Sequence, residues 1–407
     1  MRIAWRPDLR PEEIWGDTEN RVTILVNALS QVPGGSHTVL SNYWPAFTAQ
    51  RPEWRFINLR GPYREDLDAD LGPTVRTLHC GPETRGLAGR YLWERRQLSQ
   101  LCEHLRCDIY FGPNGVYHPN VKAPQCLLVQ DPTPYVLDLR AIKARTRAWL
   151  LRRSWRAGVR KAACMGYTSR YMRQLVIQDA GGILERRHII AYDGIDGSMR
   201  ATAEKPFRSR SERAPFVLSV STLSPHKNFE TLIRALAILR RTSGFRDYKL
   251  RIVGRFIQSG PYLGFLRAEI RTLGLSDAVS VEVDRPWNEV SQAYASAALF
   301  SLTSLCESFG IPALEAMAHG TPAVLGECCA IPEVCGSAAI LVPPRSAEAL
   351  AEAWGSVLSD DLRYQELQAA GRRRCLEFDW HKTVAQWIEV MEDLVLSRSR
   401  QEAAINR

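Results

Sequence analysis

Two short stretches of this chain hold the residue types that phosphate and sugar chemistry calls for. The first is Glu307-Ser-Phe-Gly-Ile-Pro-Ala-Leu-Glu315, directly after a strand candidate ending at Thr303. Pro312 suits the first position of a helix, so a helix is expected to start near Ile311 and to leave the N–H groups of Gly310 and Ile311 unpaired. A helix start after a strand attracts anions, and a diphosphate is its natural occupant. Glu315 then lies about one turn into the helix and Glu307 on the loop before it; eight helical residues would span roughly 12 Å. One carboxylate could accept hydrogen bonds from a ribose diol, the other from hydroxyls of a transferred sugar. The plainer alternative is a solvated acidic pair around an ordinary helix start. The spacing alone favours that alternative, and the surrounding Phe-Gly-x-Pro and Glu-Ala-Met-Ala weigh against it.

The second stretch is Ser221-Thr-Leu-Ser-Pro-His-Lys-Asn228, between a strand candidate and a helix whose apolar face holds Phe229, Leu232, Ile233, Leu236 and Leu239. Asn228 is expected as the N-cap, which sets Lys227 beside a helix N-terminus. A cation there is unfavourable unless an anion binds. A surface lysine in a polar loop is as common in general, and only the pairing with the first stretch favours function.

Three further features are weaker. Gly34-Gly35, before a helix over residues 36–47, is either a close-approach loop for phosphate or a loop needing positive φ. Asp131 is either a general base or an Asx-turn residue before Pro132, with the turn favoured. Asp66-Leu67-Asp68 and Asp68-Ala69-Asp70 match a metal-holding Asp-x-Asp pattern, but lie in an acidic loop without strand–helix context, so a solvated turn and no metal are expected.

The elements that must position these residues recur as short apolar runs between helix-length segments. In the first half they cover 21–29, 55–59, 108–112, 126–130, 164–169 and 188–192, and in the second 216–221, 249–254, 279–283, 298–303, 321–325 and 339–342. This pattern predicts two parallel α/β sheets covered on both faces. A length of 407 residues also favours two cores. The Gly-, Ser- and charge-rich stretch 196–215 is expected to link them. Helical spacing at Val384, Trp387, Ile388, Met391 and Leu394 predicts a last helix that returns to the first domain. The expected division is 1–200, 201–385 and 386–407.

No stretch reaches the ~18–20 apolar residues of a membrane span, and the charged N-terminus has no apolar region behind it. With ten cysteines in no CxxC or zinc-like spacing, a reduced, cytoplasmic protein is expected. The net charge of +9 points to an anionic partner. Much of it concentrates in 139–176, which has no acidic residue and carries Arg140, Lys143, Arg145, Arg147, Arg152, Arg153, Arg156, Arg160 and Lys161 among Trp149, Leu150, Leu151 and Trp155. Contact of the segment Arg140 to Lys161 with an anionic membrane, at its inner face, is favoured over a merely solvated helix. Nucleic-acid binding is the alternative of another class, disfavoured because no clear stacking platform accompanies the charge.

The two stretches resemble those of the family 4 retaining glycosyltransferases, the bacterial polysaccharide and glycan transferases of GT-B fold. The likeness runs on through Thr321-Pro322-Ala323-Val324, Ile331-Pro332-Glu333-Val334, residues 336–343 and Phe378-Asp379-Trp380. In the first half it rests on residues 27–35, Gln130-Asp131-Pro132 and Tyr192-Asp193-Gly194-Ile195-Asp196. The resemblance implies two Rossmann-like domains facing across a deep cleft, acceptor in the first and nucleotide sugar in the second. It further implies Glu307 on the donor sugar, Glu315 on the ribose, Lys227 on the diphosphate, and the N–H groups of Phe309, Gly310 and Ile311 on sugar and phosphate oxygens. Gly35, Thr222, His226, Arg255 and Ser308 complete the expected donor set. Where the family often has arginine this chain has Thr222, so His226 or Arg255 is expected to supply charge. Gln130 stands where many members carry a histidine, and with Asp131 it is the acceptor-side candidate. The implied reaction moves a hexose from a UDP- or GDP-linked donor to a saccharide or polyprenyl-linked saccharide, with retention and without cofactor. A nucleotide-sugar epimerase of the same fold is the alternative within the class.

Overall fold

Parallel strands joined by helices build two separate sheets, one in each of two units of the chain. The computed structural model describes residues 2–6, 9–16, 21–30, 35–62, 71–182, 186–255 and 260–405. The first unit comprises Met1–Pro134, Leu139–Tyr192 and Trp380–Arg407, the second Tyr135–Asp138 and Asp193–Asp379. Apart from the short segment 135–138, the chain changes unit at 192/193 and 379/380, where the sequence pattern suggested 200/201 and 385/386.

The first sheet holds β1 (Arg2–Ala4), β2 (Thr23–Asn27), β3 (Arg55–Arg60), β4 (Val75–His79), β5 (Ile109–Gly112), β6 (Gln125–Val129), β7 (Cys164–Tyr167) and β8 (Arg187–Ile190). Their order is β1-β4-β3-β2-β5-β6-β7-β8, all parallel. β1 and β4 have no counterpart among the expected strands. β1 is three residues at an edge, and β4 is only partly covered, so neither reads as an apolar run.

Alternation along the strands assigns the two faces of this sheet. A Cβ on Gly166 would meet Trp387 at 2.3 Å, whereas the neighbouring Met165 lies against Gly158 of helix Ile142–Lys161. Phe111 meets the ring of Trp387 at 5.0 Å, while Tyr110 turns to the other face and to Asn27. One face thus carries helices Gly35–Gln50 and Trp380–Ile405, locked by Tyr43 against Trp380 at 5.8 Å. The other carries Ile142–Lys161 and, through the Asn27–Glu94 hydrogen bond of 2.9 Å, Gly86–His104. Right-handed crossovers require this split, because β2 to β3 runs one way along the sheet and β4 to β5 and β6 to β7 run the other.

The second sheet holds β9 (Ala214–Thr222), β10 (Lys249–Arg255), β11 (Val279–Val283), β12 (Ala297–Leu302), β13 (Ala323–Gly326) and β14 (Ala339–Val342), in the order β11-β10-β9-β12-β13-β14. Helix Phe229–Leu239 buries Leu232, Ile233 and Leu236 in a core shared with Trp354 and Tyr364. The polar tips of those aromatics are satisfied: Trp354 Nε1 donates to Ser301 at 3.2 Å and Tyr364 donates to the Ala298 carbonyl at 2.8 Å.

Residues 196–215, expected as a linker, belong to this second unit. Asp196 caps helix Gly197–Glu204 by accepting from Met199 N at 2.8 Å. Arg213 is buried and donates to the carbonyls of Ala297, His319 and Gly320 and to Thr321. Arg213 is one of the charges that suggested a linker, but its guanidinium fork finds carbonyl partners inside the unit.

Candidate active site

Open parallel sheets bind ligands beyond the carboxyl ends of the strands, where the strand order reverses. In the second unit that point lies between β9 and β12. The two stretches singled out in the sequence are the two loops leaving those strands.

The loop after β9 forms a short 3₁₀ turn at Pro225–Lys227 and ends at Asn228, in the left-handed region at φ 55°. Asn228 is the residue before helix Phe229–Leu239, but its side chain does not cap that helix. Its amide instead donates to the carbonyls of Thr303 at 3.0 Å and Pro344 at 2.6 Å, and its Oδ1 accepts from Thr231 at 2.9 Å. Thr303 returns a hydrogen bond to the Asn228 carbonyl at 2.9 Å. With Leu305 N donating to the His226 carbonyl at 2.7 Å, the two loops are stitched together.

This stitching brings Lys227 to Glu307: Nζ donates to Oε1 at 2.6 Å, with side chains only 12% and 10% exposed. Ser304 donates to the same oxygen at 2.7 Å. A charge pair this sheltered interacts strongly. Cys328 lies close by; its hydrogen bond with Cys329, its burial and the nearby charges of Glu307 and Cys306 push its thiol well above the usual range.

Gly310, at φ 103°, precedes helix Ile311–Ala318, and Pro312 stands in its first turn. The left-handed turn favours glycine, and an added Cβ would also lie 2.6 Å from Ile331. The first turn of this helix leaves N–H groups without intrahelical partners. Phe309 is buried, with its ring edge-on to Phe378 at 5.3 Å, so only its backbone can serve a ligand.

Glu315 lies one turn further on. Tyr294 donates to its Oε2 at 2.7 Å. Burial pushes this carboxyl up to about 7; the Tyr294 hydrogen bond opposes the shift and the neighbouring Asp196 adds to it. His319 stacks on Tyr294 at 5.4 Å and bonds the Glu315 carbonyl through Nδ1 at 2.7 Å. Burial holds its imidazole below the usual value. Ser304 and Tyr294 were not singled out in the sequence: Ser304 reaches Glu307 from three residues away, whereas only the fold sets Tyr294 beside Glu315.

Of the other donor candidates, Thr222, Ser224 and His226 form a chain of side-chain contacts at 3.4 and 3.2 Å along the first loop. Arg255 ends β10 in register with Thr222, and its carbonyl accepts from Leu223 N at 3.1 Å. Ser308 and Ile311 are half-buried between Glu307 and the helix.

The first unit reverses its strand order between β2 and β5. There Asn114 Nδ2 donates to Ser30 at 3.2 Å across the two loops. Gly35 opens helix Gly35–Gln50, while Gly34 and the whole Asp66 to Asp70 stretch lie outside the described residues. Gln130 leaves β6 and donates to the Pro113 carbonyl at 2.6 Å. Asp131 takes the Asx-turn alternative: Oδ1 accepts from Thr133 N at 3.0 Å, and Oδ2 lies 3.6 Å from Arg147. Among the described residues no group of three His, Cys, Asp or Glu is arranged to hold a metal ion.

Two doubly wound parallel units of this kind define an α/β protein of GT-B type. Residues 201–374 match the family model described as glycosyl transferases group 1, so that segment of the chain is similar to that family. It is 32% identical over 215 residues to the MMP alpha-(1->4)-mannosyltransferase of Mycolicibacterium hassiacum, covering 52% of this chain and 49% of that protein. It is also 32% identical to the GDP-mannose-dependent alpha-(1-6)-phosphatidylinositol monomannoside mannosyltransferase of Mycolicibacterium smegmatis, over 44% of this chain and 47% of that one. These matches span about half the length of the curated relatives. Among solved structures, sucrose-phosphate synthase from Thermosynechococcus elongatus is similar with a TM-score of 0.71 and 18% identity, covering 93% of this chain and 100% of that one. Anabaena HepE in complex with UDP and glucose gives 0.68 and 20%, covering 91% and 100%.

Proposed function

We propose that the protein is a retaining glycosyltransferase that moves a hexose from a UDP- or GDP-linked donor to a saccharide or polyprenyl-linked saccharide. It works in the cytoplasm without a metal ion or other cofactor, with the basic segment 140–161 against an anionic membrane. The observation that supports this most is the Lys227–Glu307 pair, held at the strand-order reversal beside the open start of helix Ile311–Ala318.

In this reading the donor diphosphate rests on the N–H groups at that helix start and on Lys227. Glu307 accepts from hydroxyls of the donor sugar and Glu315 from the ribose. As the glycosidic bond breaks, charge builds on the departing phosphate, where Lys227 and the helix dipole stabilise it. The acceptor hydroxyl attacks from the same face, giving its proton to the leaving phosphate oxygen, which retains the anomeric configuration.

The relatives that carry mannosyltransferase names make GDP-mannose the first donor to try, and the UDP and UDP-glucose complexes of HepE make UDP-glucose the second. The test is thermal stabilisation by a panel of UDP- and GDP-sugars, where ligand at 100 times its Kd adds about 2.7 kcal/mol. One donor should stabilise the wild type and fail with Lys227→Ala. Stabilisation by none, or equal stabilisation of both proteins, overturns the reading. Donor incubated alone should keep its sugar configuration; epimerisation would favour the isomerase alternative. Turnover should survive EDTA.

A further inference from the structure

Helices Gly86–His104 and Ile142–Lys161 cover the same face of the first sheet, as the Tyr110–Asn27–Glu94 contacts and the Met165–Gly158 contact establish. The loop between β5 and β6 ties them together: Asn120 O accepts from Ser99 of the first helix, and Tyr117 N donates to Ser154 of the second at 2.9 Å. Their outward sides carry apolar groups that folding has not covered. Ile142 is 81% exposed, Trp149 55%, Tyr91 52% and Leu92 47%, with Leu150 beside them. Only four other large apolar side chains among the described residues are so exposed, and they are scattered over other elements, so this one surface concentrates them.

Cations flank these groups. On the second helix Ile142, Trp149 and Arg153 share one side, since seven and eleven residues return to nearly the same direction. Arg153 lies over the Trp149 ring at 5.8 Å, and Lys143 and Arg145 stand to either side. On the first helix Arg95 and Arg96 are exposed one turn from Tyr91 and Leu92. Arg95, Arg96, Lys143, Arg145 and Arg153 form no ion pair among the described residues, whereas Arg152 and Arg156 are engaged by Asp179 and Arg147 by Asp131. Cations without an ion-pair partner among the described residues thus stand beside the exposed apolar groups on both helices.

We infer that the two helices together form one docking surface for an anionic phospholipid bilayer, with Trp149, Ile142, Tyr91 and Leu92 entering the headgroup region and the cations resting on lipid phosphates. Tryptophan and tyrosine suit that layer because one end of each ring system is apolar and the other polar. A nucleic-acid backbone would use the cations but would leave Ile142, Leu92 and Leu150 with nothing to bury them. The inference deepens the membrane contact proposed for segment 140–161 by adding a second helix and naming the inserted residues. Only its consequence, an acceptor carried on a lipid, rests on the transferase reading.

The experiment is co-sedimentation of the full chain, without donor, with vesicles of phosphatidylcholine alone or with phosphatidylserine added. Duplex DNA and single-stranded RNA serve as competing probes. Binding is expected with phosphatidylserine, not with phosphatidylcholine alone, and to weaken as salt is raised. Arg145→Glu with Arg153→Glu should lower partitioning at least tenfold. Trp149→Ala should lower it several-fold and remove the blue shift of tryptophan fluorescence. Tyr91→Ala with Arg95→Glu, on the other helix, should also lower it several-fold. All these side chains are exposed, so melting temperature and donor-induced stabilisation should stay at wild-type values, which separates failure here from failure of the transferase reading. Absence of vesicle binding, tighter binding to nucleic acid than to vesicles, or no effect of the Tyr91/Arg95 variant would each overturn the two-helix surface.

Discussion

The same doubly wound topology appears twice, and the places where the two sheets reverse their strand order differ in chemistry. In the second unit that place holds an ion pair, Lys227 with Glu307, next to the start of helix Ile311–Ala318. In the first it holds an amide and a hydroxyl, Asn114 with Ser30, both half-buried and uncharged. Glu94 is buried and accepts from Asn27, the last residue of β2, at 2.9 Å, with Arg90 4.0 Å away. In the proposed reading the crevice in the second unit would take a charged diphosphate and that in the first neutral hydroxyls. The fold supplies both places, and the loop residues alone decide what each can hold.

The largest expected effect tests the ionic side. Lys227→Ala or Glu307→Gln should lower kcat by roughly 10²–10³-fold, the usual cost of removing one preorganised electrostatic contact. Circular dichroism should show the fold retained, and near-wild-type turnover would remove the distinction between the two crevices. Asn228→Ala comes next, because it deletes two bonds to carbonyls and one to Thr231 while keeping a left-handed backbone. A loss of about 2–4 kcal/mol in urea unfolding is expected, together with reduced donor binding as the two loops separate.

On the neutral side, Ser30→Ala with Asn114→Ala should raise KM for the acceptor about tenfold and leave donor-induced stabilisation unchanged, a tenfold change being about 1.4 kcal/mol. A change in donor binding instead would make the two crevices alike.

The pH dependence sharpens the comparison further. Two carboxyls of the second unit have raised values in the folded state: Glu315 at about 7, and Asp193 at about 8 through burial. A carboxyl raised in the folded state holds its proton more tightly there than in the unfolded chain. Stability from these two groups is thus complete below about pH 4 and is lost as pH rises through about 7 and about 8. The melting temperature should fall across that window and level off above it. Glu315→Gln should flatten the fall up to pH 7, and Asp193→Asn up to pH 8, as read by calorimetry. Smallest of all is Asp131→Asn: asparagine keeps the turn to Thr133, and the loss of an exposed pair with Arg147 should change stability by no more than about 0.5 kcal/mol.

Much of this was legible in the residues. All six strands of the second sheet lie where their apolar runs stand, because strands covered on both faces read as near-continuous apolar runs, and the half-buried edge strand β11 still alternates Val279, Val281 and Val283 with Ser280 and Glu282. Helix Ile311–Ala318 begins at the residue that Gly310 and Pro312 indicate, since a left-handed glycine and a first-turn proline are local signals. β1 and β4 were not legible, because partial cover lets Arg76, Thr77 and His79 interrupt the pattern. Arg213 misled, as a charge in sequence carries no sign of the carbonyls that will surround it.

What the sequence determined by itself is therefore whatever is encoded locally: the strands of the second sheet, the start of helix Ile311–Ala318 and the two loops that could meet an anion. Tertiary structure alone decided that Lys227 meets Glu307 eighty residues away, that Asn228 braces Thr303 and Pro344 rather than capping its own helix, and that Trp387 of the last helix fills the space left by Gly166. Parallel strands pair only across long crossovers, so the neighbours that give a side chain its partner, its burial and its charge state come from distant segments. Local propensity has no term for them.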